Sequence, residues 1–272
     1  MPLTGIIRRP VTRVTGRSSE TVEDSLAEER ALEIRVDGRA LSVTLRTPGH
    51  DEELALGFLA GEGVVRRAAD VTAMGAARAG RDDEPDTVDV TLAGGVAFDW
   101  SKLERHFAAT AACGICGRAH LESLRTGLQP MAGGALFNVS AIHALSHHIR
   151  TAQATFAETG GLHAAVWCDA LLEPRVLRED VGRHNAVDKV CGWLLREGHY
   201  GAGEGLLWVS GRAGAELVLK AARARIPAMA AVGAPSSLAV ELAEAAGMTL
   251  IGFLRDGRMN VYAGAQRIAL SR

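Results

Sequence analysis

Residues 206–255 read LLWVSGRAGAELVLKAARARIPAMAAVGAPSSLAVELAEAAGMTLIGFLR, and the fold class of the chain follows from this stretch. Strand-like apolar runs alternate in it with segments of helical periodicity. Strands are predicted at 206–209, 228–232 and 249–254, and helices at about 213–225 and 236–246. The short links favour a parallel sheet with covering helices and right-handed crossovers. Ligands of such sheets bind beside the carboxyl ends of the strands, so the loops there are candidate site segments.

The segments on either side of this stretch extend the same domain. Apolar residues recur at helical spacing from Asn138, and Gly160-Gly161 supplies a stop signal. LHAAVW at 162–167 has the composition of a strand, a second helix follows it, and a last strand is predicted at 259–262. Residues 137–272 are therefore predicted to form the larger α/β domain.

The N-terminal part of the chain predicts a smaller α+β module. Residues 31–46 alternate apolar and polar positions around Asp37-Gly38, a strong hairpin signal. A helix that Asp51 can cap follows, and residues 87–92 alternate like a strand. We place this module at residues 1–107.

Composition and charge exclude several classes of protein. The chain has 272 residues and is 47% hydrophobic, which predicts a globular protein. Its 30 basic and 32 acidic residues nearly balance, so no overall positive charge attracts it to nucleic acid or to an anionic membrane. The first residues lack the apolar core of a secretory signal, and no stretch offers about 20 apolar residues for a membrane span. We expect a cytoplasmic protein with no membrane or nucleic-acid partner.

Cys113 and Cys116 are the strongest chemical signal. They lie in a glycine-rich connector, residues 108–136, with Gly114 and Gly117 beside them and basic residues on both sides. Glycine lets a loop present a sulfur atom, and nearby positive charge favours the reactive thiolate. The pair fits a nucleophilic cysteine with a resolving or assisting thiol.

Three other interpretations of the pair stay open on spacing alone. Two buried, inert cysteines are one, although the flanking glycines disfavour a core position. Half of a zinc site is another, but Cys168 and Cys191 form no second close pair. A thioredoxin-like redox pair needs a strand before the motif, and the preceding residues are no clear strand.

Five segments, in order along the chain, resemble the formate dehydrogenase accessory sulfurtransferase family (FdhD-type). They are Arg46-Thr47-Pro48-Gly49 with Asp51 to Leu59, Cys113-Gly-Ile-Cys116-Gly117, Thr159-Gly-Gly-Leu-His163-Ala-Ala165, Arg178-Glu-Asp-Val-Gly-Arg-His-Asn-Ala-Val-Asp-Lys189, and Ser210-Gly211-Arg212. The resemblance covers residues 30 to 264.

The resemblance implies a sulfur carrier protein, a sulfurtransferase that relays a persulfide. It implies that a cysteine desulfurase loads Cys113, that Cys116 assists, and that the sulfur passes to the molybdenum bis-guanine-dinucleotide cofactor (bis-MGD) needed by formate dehydrogenase. It also implies a homodimer and a three-layer α/β sheet resembling cytidine deaminases in the second half. The deaminase machinery itself is missing, since Ala164 and Ala165 follow His163 and no Pro-Cys-x-x-Cys occurs.

The same resemblance places the cofactor or a guanine nucleotide at the end of the strand predicted at 249–254. The residues are Phe253, Leu254, Arg255, Asp256, Gly257 and Arg258. Arg255 and Arg258 are suited to phosphate as charged donors. Further candidate contacts are Arg183 and His184 at a predicted helix start, and Ser236, with a surface cap as the alternative for each position.

Several other residues receive structural interpretations. Asp188 and Lys189 are expected to form solvated ion pairs, and His143 and His147 to lie on a surface. No metal site is predicted. Two alternative functions stay open: a chaperone that holds the cofactor without carrying sulfur, and a zinc-stabilised interaction module.

Overall fold

The computed structural model describes residues 5–79, 84–96, 100, 128–131, 133–255 and 257–270. The chain begins with a two-stranded antiparallel ribbon, β1 (Ile6–Thr15) and β2 (Ser18–Ala27). Most of its side chains are exposed on both faces. The sequence did not predict this ribbon, because its strands carry charges where a half-buried strand would carry apolar residues.

A four-stranded sheet and one helix form the N-terminal module. Its elements are β3 (Arg30–Val36), β4 (Arg39–Arg46), α1 (Asp51–Gly61), β5 (Val71–Ala77) and β6 (Asp86–Leu92), and the strand order is β4-β3-β6-β5. The predicted β3–β4 hairpin is present: Asp37 and Gly38 both have positive φ, 50° and 78°, as a tight hairpin turn of this type requires. Alternate residues Leu32, Ile34 and Val36 are buried against α1.

The C-terminal part is built on a six-stranded mixed sheet. Its elements in chain order are β7 (Phe137–Asn138), α2 (Val139–Ala152), α3 (Ala154–Thr159), β8 (His163–Cys168), β9 (Pro174–Asp180), α4 (Arg183–Arg196), β10 (Leu206–Val209), α5 (Ala215–Arg223), β11 (Ala228–Ala231), α6 (Ser237–Ala245), β12 (Thr249–Arg255), β13 (Arg258–Ala263) and β14 (Ile268–Ala269). The strand order is β13-β12-β11-β10-β8-β9. As predicted, β10, β11 and β12 are parallel, whereas β8 and β13 run antiparallel to their neighbours.

Helices cover both faces of this sheet, which confirms the predicted α/β class. One face packs on α2 through Ile142, Leu145 and Ile149, and the other packs on α4, α5 and α6. Successive strand residues such as Trp208 and Val209 therefore enter opposite cores. The more detailed likeness to cytidine deaminases stays a prediction. No helix in the described part of the chain is both long and apolar enough to cross a membrane.

Three local predictions differ from the structure. Strand β9 was missed, because PRVLRED has little apolar alternation. The helix predicted from Asn138 to Gly160 is two helices, which meet at Gln153. Asp51 is the first residue of α1 and not its cap, which is His50 in a left-handed conformation. The predicted connector, residues 108–136, lies largely outside the described residues, so the division of the chain there stays a prediction.

Helices α1 and α4 pack against each other at glycine positions. A Cβ added at Gly57 would lie 1.8 Å from the carbonyl oxygen of Asp188, and one added at Gly192 would lie 1.9 Å from that of Glu53. No side chain larger than hydrogen fits between the two backbones at these points. The N-terminal module is thereby held directly against the larger sheet.

Candidate functional site

One edge of the large sheet brings together most of the predicted site residues. We call it the strand-end edge, because the parallel strands β10, β11 and β12 finish there. It consists of His163 at the start of β8, Gly182 and Arg183 after β9, Ser210–Arg212, Gly233–Ser236, and Gly252–Arg258 with residue 256 outside the described set. Its position matches the rule that ligands of such sheets bind beyond the carboxyl ends of the strands.

A row of three glycines lines the strand-end edge. Gly211 and Gly233 follow β10 and β11, and Gly252 lies within β12. The backbone hydrogen bonds between these segments continue through the glycines: Gly233 N–H donates to Gly211 O at 2.9 Å, and Phe253 N–H donates to Gly233 O at 3.1 Å. A Cβ at Gly233 would lie 3.0 Å from Gly211 O. The sequence did not predict this row, although Gly211 and Gly233 lie just after the predicted strands at 206–209 and 228–232.

The backbone at Phe253 is unusual. This residue has a φ of 53°, a left-handed conformation that is rare for a bulky residue, and it lies at an irregularity in the β12–β13 pairing between Gly252 and Arg255. Such outliers concentrate at functional sites. The side chain of Phe253 is half-buried, whereas that of Leu254 is fully buried in the core, so Leu254 offers a ligand only its backbone.

Four arginines give the strand-end edge a local positive charge. Arg183, Arg212, Arg255 and Arg258 have no carboxylate within ion-pair distance among the described residues. Arg255 and Arg258 are exposed and face each other across the β12–β13 turn. Guanidinium groups that have no carboxylate partner in the described part of the chain suit phosphate or another anionic ligand.

Two histidines accompany these arginines. His163 and Arg183 flank Gly211, since a Cβ built there would lie 3.4 Å from His163 Nδ1 and 4.0 Å from Arg183 Cδ. Burial, with the Arg183 charge, lowers the pKa of His163. Burial also lowers the pKa of His184. The Glu216 carboxylate, whose oxygen is 3.2 Å from His184 Nε2, acts in the opposite direction but does not outweigh burial. Both imidazoles therefore favour the neutral form, able to donate one hydrogen bond and accept one.

Ser236 acts as the N-cap of α6. Its hydroxyl oxygen accepts a hydrogen bond from the Ala239 N–H at 3.2 Å, as the cap alternative predicted. Arg183 and His184 begin α4, as predicted, but Gly182 at its N-cap has no side chain to bind the free N–H groups. Of these two helix starts, that of α4 leaves more backbone donors for a ligand.

Comparison with known proteins identifies the relatives of this chain. The model of the FdhD/NarQ family matches residues 27–269. The chain belongs to the FdhD/NarQ family. A protein of Mycolicibacterium paratuberculosis named sulfur carrier protein FdhD is 46% identical over 266 residues, which is 96% of this chain and 98% of that protein. A protein of the same name from Anaeromyxobacter dehalogenans is 45% identical over 95% of this chain and 93% of its own length.

A solved structure shares the fold of this family member. It is the crystal structure of a protein from Desulfotalea psychrophila whose name gives it a proposed accessory role to formate dehydrogenase. The two chains superpose with a TM-score of 0.79 at 23% identity, over 97% of this chain and 100% of the other. The likeness therefore confirms a mixed α/β fold of the FdhD/NarQ family.

Two segments that carry the family resemblance meet in a buried seam. We use this name for the contacts between Arg46–Glu53 and Arg178–Lys189. Lys189 Nζ donates to Asp180 at 2.7 Å and to Thr47 O at 2.9 Å, while the Thr47 N–H donates to Asp180 at 3.2 Å. Glu53 accepts two hydrogen bonds from Arg178, at 2.6 and 2.8 Å. The seam fixes β9 and α4, and with them the start of α4 at the strand-end edge.

The expectation of solvated ion pairs at Asp188 and Lys189 was wrong. Asp188 is 3% exposed and binds Lys220 at 2.5 Å, and Lys189 is 1% exposed within the seam. Burial lowers the pKa of Lys189, opposed by the Asp180 carboxylate. Sequence spacing shows that such residues are neighbours on a helix but not that a second helix and a sheet cover them.

Cys113 and Cys116 lie outside the described residues. The other two cysteines lie on opposite faces of the large sheet: Cys168 packs with α2 and Cys191 lies in the core with α5 and α6. Burial raises the pKa of each thiol to about 12. Both are therefore neutral and inert, and they cannot join one four-cysteine metal site. Among the described residues, no group of three or more metal-binding side chains comes together.

Proposed function

We propose that this protein is a cytoplasmic sulfur carrier that accepts a persulfide sulfur on Cys113 and delivers it to bis-MGD for formate dehydrogenase. The curated relatives at 45–46% identity are named sulfur carrier proteins, and the family match covers both the cysteine pair and the strand-end edge. As the resemblance implies, a cysteine desulfurase is the sulfur donor and the carrier is a homodimer.

The state of the buried cysteines is the observation that carries this proposal. A sulfur carrier needs an accessible thiolate. Cys168 and Cys191 are buried, with thiol pKa values raised to about 12, so neither can attack a partner's persulfide. Of the four cysteines in the chain, only Cys113 and Cys116 remain for this chemistry.

The proposed transfer balances with these two thiols. The Cys113 thiolate attacks the outer sulfur of the desulfurase persulfide, a new S–S bond forms, and the desulfurase cysteine leaves as a thiolate. Cys116 then attacks the inner sulfur, so that a Cys113–Cys116 disulfide forms and the outer sulfur leaves as sulfide, which takes the place of a terminal ligand of the molybdenum substrate; that ligand is released. Oxidation of the two thiols to the disulfide supplies the two electrons that reduce the outer sulfur to sulfide. A cellular thiol reductant then reduces the disulfide back to the two thiols.

The strand-end edge is the proposed holding site for the bis-MGD substrate. Arg255 and Arg258, which have no carboxylate partner among the described residues, suit its phosphates, and Phe253 and Gly257 shape the turn between them. Arg183 and His184 at the start of α4 are further proposed contacts. The row of glycines allows a ligand to approach the backbone closely.

Mass spectrometry after incubation with a cysteine desulfurase and cysteine tests the proposal. We expect the peptide that contains Cys113 to gain one sulfur atom, and Cys113→Ser to abolish this gain. Cys168→Ala is the matched control and should load like the wild type. Loading that survives in Cys113→Ser and is lost in Cys116→Ser would reverse the assignment within the pair. If loading is absent while the protein still activates formate dehydrogenase, the chaperone function holds instead.

A further inference from the structure

A cavity lies at the end of the large sheet opposite to the strand-end edge. Its volume is about 630 Å³, within the range of protein ligand sites. It is bounded by the end of β8, the turn that leads to β9, the last turn of α4 and the loop before β10. Nothing in the proposed sulfur chemistry uses this cavity.

Three aromatic rings form one wall of the cavity. The rings of Trp193 and His199 are stacked, with 5.9 Å between centroids and 11° between planes. Trp167 lies 4.9 Å from His199 and 6.1 Å from Trp193, with its ring tilted. Trp193 is only half-buried although its ring is large and apolar. Tryptophan faces bind cations better than other aromatic rings do.

Carboxylates surround this wall. Asp169, Glu197 and Glu204 line the cavity together with one cation, Arg175, which pairs with Asp169 at 2.7 Å. Glu204 has His199 at 3.3 Å, and Glu197 is exposed at the C-cap of α4. The C-terminal end of a helix carries partial negative charge. Arg175 neutralises Asp169, so Glu197 and Glu204 leave the lining with a net negative formal charge, and its complement is a cation.

Two residues that line the cavity have features that cost stability, an exposed apolar side chain and an unpaired buried N–H group. Leu171, in the turn after β8, is 81% exposed at the rim. The Trp167 Nε1 is the one buried side-chain nitrogen or oxygen that lacks a hydrogen-bond partner among the described residues. An exposed apolar side chain beside an acidic, aromatic cavity favours a polypeptide over a small free cation as the occupant.

We infer that this cavity binds an arginine or lysine side chain from a segment of a partner protein, with an apolar neighbour of that side chain against Leu171. The cationic group stacks on Trp193 while Glu197 and Glu204 balance its charge. Because the cavity and the strand-end edge are at opposite ends of the sheet, a partner bound here leaves the proposed substrate site open.

Titration with short peptides tests this inference, with binding followed by calorimetry and by tryptophan emission. The probe is acetyl-Leu-Arg-Leu-amide, and its neutral match carries citrulline in place of arginine. We expect saturable binding of the arginine peptide and about tenfold weaker binding of the citrulline peptide. Glu197→Gln with Glu204→Gln should weaken arginine-peptide binding by about tenfold, and Leu171→Ser by a smaller factor. The control Glu244→Gln, an exposed change on α6, should bind like the wild type.

Three results would overturn the inference. The first is equal affinity for the two peptides, since the charge would then play no part. The second is no saturable binding of the arginine peptide at concentrations up to about 10 mM in folded protein. The third is acetyl-arginine-amide binding as tightly as the tripeptide, which would make the site one for a small cation. None of these readouts depends on sulfur loading, so they stand apart from the test of the proposed function.

Discussion

Replacement of Gly57 or Gly192 by alanine is expected to destabilise the fold through the contact between α1 and α4. The added methyl would lie 1.8 Å from Asp188 O in the first variant and 1.9 Å from Glu53 O in the second. The helices must then separate by about 1.5 Å to restore ordinary contact distances. Overpacking of this kind costs about 1–3 kcal/mol, and backbone atoms on both sides place these sites at the upper end. About 1 kcal/mol of this cost is offset, because alanine is a better helix former than glycine.

The net expectation is a loss of about 2 kcal/mol in the free energy of unfolding, measured by urea denaturation. The double variant should lose less than the sum of the two single losses, because one separation of the helices accommodates both methyl groups. Gly75→Ala in β5 is the control, since a Cβ there meets nothing within 4 Å. A Gly57→Ala protein that unfolds at the same urea concentration as the wild type, or higher, would refute the close contact of the two helices.

Two further predictions concern the strand-end edge and the buried charges. Arg255→Ala and Arg258→Ala should each weaken binding of guanosine diphosphate, a stand-in for the dinucleotide, by about 1.5–3 kcal/mol in calorimetry, whereas the exposed Arg150→Ala should not; unchanged affinity in both variants would place the site elsewhere. Asp86→Asn should lower stability at neutral pH. Burial of Asp86 acts to raise the pKa of its carboxyl group in the folded state, but the hydrogen bond and charge of Arg46 outweigh burial, and the pKa is lowered. The stability that this carboxylate adds is therefore full above its unfolded pKa of about 4 and is lost as the pH falls through the folded pKa. The gap in stability between wild type and variant should shrink below about pH 4, and a gap constant down to about pH 3 would contradict this.

Sequence patterns predicted the elements whose burial has a regular period. The β3–β4 hairpin was predicted from alternation around Asp37-Gly38, and the parallel strands from apolar runs separated by helical segments. The β1–β2 ribbon and β9 were missed for one reason. Their side chains are mostly exposed or charged, so none of these three strands has the apolar alternation that a half-buried strand shows.

Prediction of the candidate site was limited in a different way. The loops after the parallel strands could be located, since chain topology alone brings them to one edge. The partners of individual charges could not be predicted: His184 lies opposite Glu216, and Asp188 binds Lys220, 32 positions further along the chain. Such pairings depend on how α4 packs on α1 and α5, which no local spacing records.

The buried seam gives a physical reason why two segments that carry the family resemblance lie where the N-terminal module meets the large α/β domain. The start of α4 has no side-chain cap, so its position is set by contacts of later residues in α4 and of the end of β9. Asn185 donates to Leu45 O at 2.8 Å and to Asp180 at 3.0 Å, and Lys189 joins Asp180 to Thr47. Every one of these bonds reaches the segment before α1 or the end of β9. The N-terminal module therefore acts on the strand-end edge without lying on it, because it fixes the helix whose first residues, Arg183 and His184, face the proposed substrate.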